Sequence, residues 1–332
     1  MPKSDVIFKN KNGLYVPDAD VYIDPWRPVK TALITHAHAD HARYGHDLYI
    51  ATQPTIDIMK HRISDSLICE ARSYRQTFKV NSVIFEFIPA GHILGSAQIV
   101  IHHPKKKVIV TGDYKCIDDG ICTPIEYETC DLLISECTFG LPIFSWKDES
   151  ETFKELKQAI LNSHKRNQNC VIYTYALGKA QRVLNYLNQQ FKHIYVHTAV
   201  DNMNKIHKKY GLKLENVKRV SKEDTSYENQ PSIIVAPPSS AGSPWEKKFK
   251  PYEQFYVSGW MHIRGNQRRR NMKGVVLSDH ACWCELISTI QKTKAKEVWL
   301  THGYQDELAK YLSELGIKAI ALDTQYEGEQ LQ

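Results

Sequence analysis

Between Leu33 and His46 the sequence reads LITHAHADHARYGH, four imidazoles and a carboxylate at the end of a short apolar run. Imidazole and carboxylate together suit zinc, manganese or iron. In His36-x-His38-x-Asp40-His41, alternate residues His36 and His38 can point the same way in an extended turn. Asp40 and His41 lie beyond them and can face a neighbouring position, so one loop could serve two adjacent cations. Further donors stand where a sheet could bring them in: His92 in PAGHILGSAQ and Asp113 in VTGDYK. Five strand-like runs end in a residue fit for metal or acid–base chemistry, namely His36, Asp113, Glu136, His280 and His302. Mixed α/β sheets tend to gather their chemistry at strand C-termini, so five such endings point to one shared site. His46 follows Gly45, continues no pattern, and is expected at the surface or behind the ligands.

The elements that must position these residues follow from hydrophobic patterning. Short apolar runs at 31–36, 107–113, 131–136, 170–175, 232–238, 274–280 and 297–303 read as buried strands. Alternation in NSVIFEF and SAQIVIHH, between 80 and 103, suggests antiparallel strands around a loop. The His-rich loop is expected to open a helix. Helical stripes occupy 150–167 (Phe153, Leu156, Ile160 and Leu161, with Ser150 as the cap), 178–191, 285–295 and 305–316. Strands mixed with helices give an α/β or α+β class. The sequence YALGKAQR reads as strand, tight turn and helix start. Backbone N–H groups there, at Gly178, with Lys179 and Arg182, would grip a phosphate.

Composition narrows the alternatives. The chain has 332 residues, enough for two domains, and its 42% apolar content is that of a folded protein. No apolar run is long enough to cross a bilayer. The N-terminal MPKSDVIFKNKNG lacks the apolar core of a signal peptide, so a cytoplasmic location is expected. The eight cysteines form no C-x-x-C pair, and Cys282 and Cys284, one residue apart, have poor disulfide spacing, so all eight read as reduced thiols. A net charge of +6 is a mild basic bias, but RGNQRRR concentrates Arg264, Arg268, Arg269 and Arg270, which could track a sugar–phosphate backbone.

The combination of H-x-H-x-D-H, GHILGSAQ, TGDYK and an early Asp24 resembles the metallo-β-lactamase superfamily. Glu136 in SECTFG, His280 in LSDH and His302 in THG resemble the three added motifs of its nucleic-acid-processing branch, the β-CASP nucleases. GLYVPDADVYIDPWRPV, LITHAHADHAR, TFGLPIFSW, YALGKAQR, IVAPPSSAGSPW, SGWMHIRGNQRRR and VLSDHACW are similar to the bacterial ligase-associated DNA exonucleases.

The resemblance implies an αβ/βα sandwich core, residues 1–144 and 271–332, interrupted by an inserted α/β cap at 145–270. It implies two divalent metal ions, zinc or manganese. His36, His38 and His92 would hold one, and Asp40, His41 and His302 the other. Asp113 would bridge them, and Asp24 would brace the loop from behind. A hydroxide between the metals would attack the scissile phosphate, with His280 as proton donor and Glu136 orienting its ring. The implied partner is nucleic acid, DNA before RNA, with a DNA ligase and helicase as functional companions and no membrane. His302 matches the histidine usual in the RNA-cleaving members, which keeps RNA processing open. A small-ester or thioester hydrolase of the same superfamily would need neither the arginine cluster nor a large insertion. A scaffold would not need the complete ligand set.

Overall fold

The computed structural model describes residues 4–221, 226–263 and 272–326. Among the described residues the fold is mixed α/β with three sheets, and the chain divides into two compact units, one of Met1–Ser145 and His280–Gln330, the other of Trp146–Asp279.

In the first unit two sheets share a core. Six short strands, Phe8–Asn10, Gly13–Val16, Val21–Ile23, Thr31–Leu33, Leu48–Ala51 and Cys69–Ala71, form one sheet in sequence order. The other has seven strands, in the order Lys318–Ala321, Glu297–Gly303, Leu132–Cys137, Lys107–Val110, Ala97–His102, Val83–Pro89 and Thr77–Val80. Strand residues alternate between faces, and the LLIS run uses both. Leu132 and Ile134 pack with Leu33, Ile50, Phe85 and Ile99 between the sheets, whereas Leu133 turns to the opposite face. There it meets Leu286, Ile290, Leu308 and Leu312 from the helices Trp283–Thr293 and Gln305–Glu314. A strand buried on both sides must be apolar throughout, which explains the unbroken run. Each such aliphatic side chain contributes roughly 1.5–3 kcal/mol on burial. The antiparallel pair expected between 80 and 103 is present, with Ile84 opposite His102 and Pro89 opposite Ala97.

The second unit is built on six parallel strands, ordered Val217–Arg219, Ile194–Val196, Ile233–Ala236, Asn169–Tyr173, Tyr252–Val257 and Lys273–Val275. Helix Glu149–Lys165 buries Phe153, Leu156 and Ile160. Its cap is Asp148, whose carboxylate accepts the Ser150 N–H at 2.7 Å, and not Ser150. Leu161, expected on the same stripe, is exposed.

Two boundaries differ from expectation. Residues 272–279 pair or pack with the second unit, because Lys273–Val275 extends its parallel sheet beside Tyr252–Val257. The chain therefore returns to the first unit at His280 and not at 271. The expected strand over 274–280 also stops at Val275, and the Arg182 guanidinium takes the Ser278 carbonyl at 2.5 Å.

The end of Glu297–Gly303 decides where His302 points. Glu136 pairs with Thr301 but Cys137 pairs with Gly303, so His302 is the extra residue of a bulge, at φ +22°. A bulge breaks the alternation and re-aims a side chain. Gly303 has φ +87°, and a Cβ there would lie 2.1 Å from the Cys137 carbonyl oxygen. We expect Gly303→Ala to destabilise the fold by more than about 1 kcal/mol, read as a lower denaturant midpoint. An unchanged midpoint would mean that the bulge does not need glycine.

Candidate metal centre and active site

The site is assembled around Asp113, just beyond the strand Lys107–Val110. Gly112 precedes it at φ +56°, and a Cβ there would fall 2.6 Å from the Thr35 side chain, so the turn can press against the His-rich loop only without one. The Asp113 carboxylate is buried. Its Oδ1 lies 3.0 Å from Nε2 of His302 and 3.5 Å from Nε2 of His41. Its Oδ2 lies 3.5 Å from Nε2 of His36, 3.8 Å from Nε2 of His92 and 4.0 Å from Nδ1 of His280. Nδ1 of His38 is 3.0 Å from Nε2 of His92, and Oδ2 of Asp40 is 3.6 Å from Nε2 of His41. The structure thus brings His36, His38, Asp40, His41, His92, Asp113 and His302 together. One atom each from His36, His38, His92 and Asp113 all lie within 4.8 Å of one another, and so do atoms of His41, Asp113 and His302.

The loop carrying four of these residues is a turn and not the start of a helix. The N–H groups of His41 and Ala42 both donate to the His38 carbonyl, at 3.3 and 2.9 Å. Arg62, at the end of the helix Gln53–Arg62, holds it from behind by donating to the carbonyls of Ala37, at 3.0 Å, and Ala42. Asp24 braces the same loop. Its Oδ1 accepts the Thr35 N–H at 2.8 Å, and its Oδ2 accepts the Thr35 hydroxyl at 2.5 Å and Nδ1–H of His41 at 2.7 Å. With Nδ1 committed, His41 turns Nε2 toward Asp113, the usual arrangement in which a carboxylate behind an imidazole orients it for a metal.

Sequence reasoning missed Arg62, Thr35 and Tyr326. The Tyr326 ring stacks on His41 with centroids 4.6 Å apart and planes at 7°, and meets His302 edge-on at 5.7 Å. Its hydroxyl donates to the Asp24 carbonyl at 3.2 Å. No local signal could mark a residue that lies 302 positions away from Asp24.

Electrostatics and unmet hydrogen bonds test whether this pocket fits cations. Burial pushes the imidazoles of His36 and His38 down. Burial would lower His41 as well, but Asp113, Asp40 and the hydrogen bond with Asp24 outweigh it and raise His41 to about 10. Burial raises the Asp113 carboxyl, yet His41 and His302 outweigh that and hold it well below the carboxylate range. The cluster therefore favours positive charge facing Asp113. Among the described residues, Nε2 of His36, His41 and His302 and Oδ1 of Asp113 are buried without a hydrogen-bond partner of good geometry. Buried polar atoms left in that state cost about 1–3 kcal/mol each, and a divalent cation would satisfy them together. The donors fit zinc or manganese.

Beside this cluster His280 forms a pair with Glu136. Nδ1 of His280 lies 2.9 and 3.1 Å from the two carboxylate oxygens, one of which also accepts the Tyr114 N–H at 2.7 Å. The His280 and His92 rings are 4.7 Å apart.

Other expected residues fall elsewhere. The Gly178 N–H is taken by the Gln181 side chain at 2.8 Å, which caps the helix Lys179–Asn188 and removes a phosphate donor. Arg182 is buried and is paired with Asp279 at 2.9 Å and with Glu149. Lys179, also buried, lies 3.8 Å from the Asp279 carboxylate. Two carboxylates thus occupy the charges expected to grip a phosphate. Arg264, Arg268, Arg269 and Arg270 lie outside the described residues. His46 is not a surface residue: it is buried, it accepts the Val29 N–H at 3.3 Å, and burial pushes it down to about 4.

No family model matches the chain. It is 25% identical over 317 residues to a protein of Opitutus terrae named "Probable DNA ligase", covering 95% of this chain and 31% of that protein. It is 27% identical over 192 residues to the RNase J-like protein of Methanocaldococcus jannaschii, covering 50% of this chain and 45% of that one. The chain thus spans less than half the length of either relative. A crystal structure of a protein of unknown function from Enterococcus faecalis shares the fold, with a TM-score of 0.61 and 11% identity over 90% of this chain and 80% of the other. Among the described residues, no helix is long and apolar enough to cross a membrane.

Because Asp24 fixes the His41 ring, Asp24→Ala should weaken zinc binding by about 10–100-fold while the protein stays folded. Calorimetric titration of the metal-stripped protein measures this, and an unchanged affinity would remove Asp24 from the site.

Proposed function

We propose that this chain is a two-metal phosphodiesterase that degrades nucleic acid, a DNA exonuclease serving repair beside a DNA ligase and a helicase. The observation that carries the reading is the convergence of seven imidazole and carboxylate side chains, several with unmet buried donors, next to the Glu136–His280 pair. His36, His38 and His92 would hold one cation, Asp40, His41 and His302 the other, and Asp113 both. Bound there, divalent cations lower the pKa of water and offset the charge that gathers on a phosphate under attack.

The protein's own groups do the rest. Glu136 accepts from Nδ1 of His280, which fixes the tautomer and makes Nε2 the nitrogen that exchanges a proton with the departing oxygen. The Tyr114 N–H holds the Glu136 carboxylate in turn, so the ring has little freedom to rotate. Asp24, Thr35 and Arg62 keep the His-rich loop in one conformation. We assign the second unit, Trp146–Asp279, to the role of the β-CASP cap, with Arg264, Arg268, Arg269 and Arg270 neutralising the substrate backbone. Eight cysteines outside any disulfide suit a reducing cytoplasm.

DNA is preferred because the similarity to the protein named a DNA ligase runs over 95% of this chain, against 50% for the RNase J-like protein. RNA processing is the second reading, supported by that RNase J-like relative and by His302. End-labelled DNA and RNA of one sequence, single- and double-stranded, digested with zinc, manganese or magnesium, separate the two. Stepwise shortening of DNA with RNA left intact is expected, and the reverse preference would assign the chain to RNA. In the same assay Asp113→Ala should abolish cleavage. His280→Ala should slow it about 10²–10⁴-fold with metal content unchanged. Wild-type rates in either variant would overturn that residue's role.

A further inference from the structure

Cys282 and Cys284 have no part in the site described above, yet their sulfurs lie 2.9 Å apart, closer than non-bonded sulfurs ordinarily rest. The helix start accounts for this. Cys282 is the extended cap residue of the helix Trp283–Thr293, its N–H donating to the Glu285 carboxylate at 2.8 Å, and Cys284 is the second residue of the first turn. The two side chains differ in environment. Cys282 is buried and Cys284 is exposed. Exposure lets an oxidant reach Cys284. Burial, with the hydrogen bond to Cys284, pushes the Cys282 thiol well above its ordinary range and keeps it protonated.

We propose that Cys282 and Cys284 form a reversible, peroxide-oxidised dithiol, a covalent modification site in which Cys284 is attacked first and Cys282 resolves. The Cys284 thiolate attacks a hydroperoxide. An S–O bond forms, the O–O bond breaks, and water or an alcohol leaves after protonation. The Cys282 sulfur then attacks the Cys284 sulfenic acid. The S–S bond forms, the S–O bond breaks, and hydroxide departs with the Cys282 proton as water. The two thiols lose two electrons and the peroxide gains them. Ring closure between residues this close strains the disulfide and makes it easily reduced, so the dithiol is the resting form in a reducing compartment.

The modification reaches the active site through hydrogen bonds already in place. The N–H groups on either side of Cys282 are pinned, Ala281 to the Tyr114 carbonyl at 2.9 Å and Trp283 to the Phe144 carbonyl at 3.0 Å. Tyr114 also donates to Glu136, which holds His280. Closing a ring at 282–284 therefore distorts the segment that begins at His280, and oxidation should suppress turnover, a consequence that rests on the nuclease reading.

The test uses the intact protein treated with stoichiometric hydrogen peroxide, alkylated and mapped by peptide mass. The expected result is loss of both thiols to alkylation, a 282–284 peptide lighter by two hydrogens, and full recovery with dithiothreitol. In Cys284→Ser that mass change should vanish and Cys282 should stay alkylatable after unfolding. If both thiols of the folded protein survive peroxide, or if Cys284 passes to sulfinic acid without closing the ring, the proposal is wrong. Nuclease assays of the reduced and oxidised forms separate the two readings. A disulfide that forms in a protein inactive in both states would sink the nuclease reading and leave the dithiol standing.

Discussion

The structure depends on what surrounds one buried carboxylate. Removing a carboxylate from water costs several kcal/mol unless opposite charge or hydrogen bonds replace the lost hydration. Asp113 meets that demand with imidazoles from four separate stretches of chain: the turn after Thr31–Leu33, the loop before Ala97–His102, the segment opening with His280, and the bulge at His302. Imidazoles alone answer it incompletely. Asp24, Asp40 and Glu136 bring three more carboxylates into the same region, and several ring nitrogens point inward without partners. Divalent cations would balance the charge and satisfy those nitrogens at once, so the cluster could hold metal.

The fold is what holds these groups in register. Leu132–Cys137 and Glu297–Gly303 are parallel neighbours inside the seven-stranded sheet, buried on both faces, so Glu136 and His302 sit at the ends of paired, packed strands. The His-rich loop has no such strand beneath it. Its rigidity comes from side chains instead, with Arg62 on its carbonyls, Asp24 on Thr35 and His41, and Tyr326 stacked on His41. Left-handed backbone at Asp24, Gly112, His302 and Gly303 falls beside the clustered side chains, and at His302 it breaks the strand alternation.

Much of this site is legible in the sequence, for a physical reason. Metal-binding chemistry restricts residue type, and H-x-H-x-D-H, TGD and THG each set a donor beside or close to a glycine or at the end of an apolar run. The two-unit organisation is similarly marked by continuous apolar strands on both sides of residue 145. What escapes is tertiary. Tyr326 and Arg62 look like ordinary residues until the chain has folded. Arg182 and Lys179 illustrate the opposite error. Their glycine-led turn resembles an anion cradle, but Asp279 and Glu149, distant in sequence, occupy the positive charge. The strand expected to run to His280 ends at Val275, and beyond it the Ser278 carbonyl accepts from Arg182, a partner distant in sequence.

The most direct test is anomalous X-ray scattering from crystals grown with zinc. Two peaks should appear beside Asp113, one within bonding distance of His36, His38 and His92, and the other of Asp40, His41 and His302. Density showing these rings hydrogen-bonded to one another or to water, with no anomalous signal among them at saturating zinc, would contradict the metal centre and everything built on it.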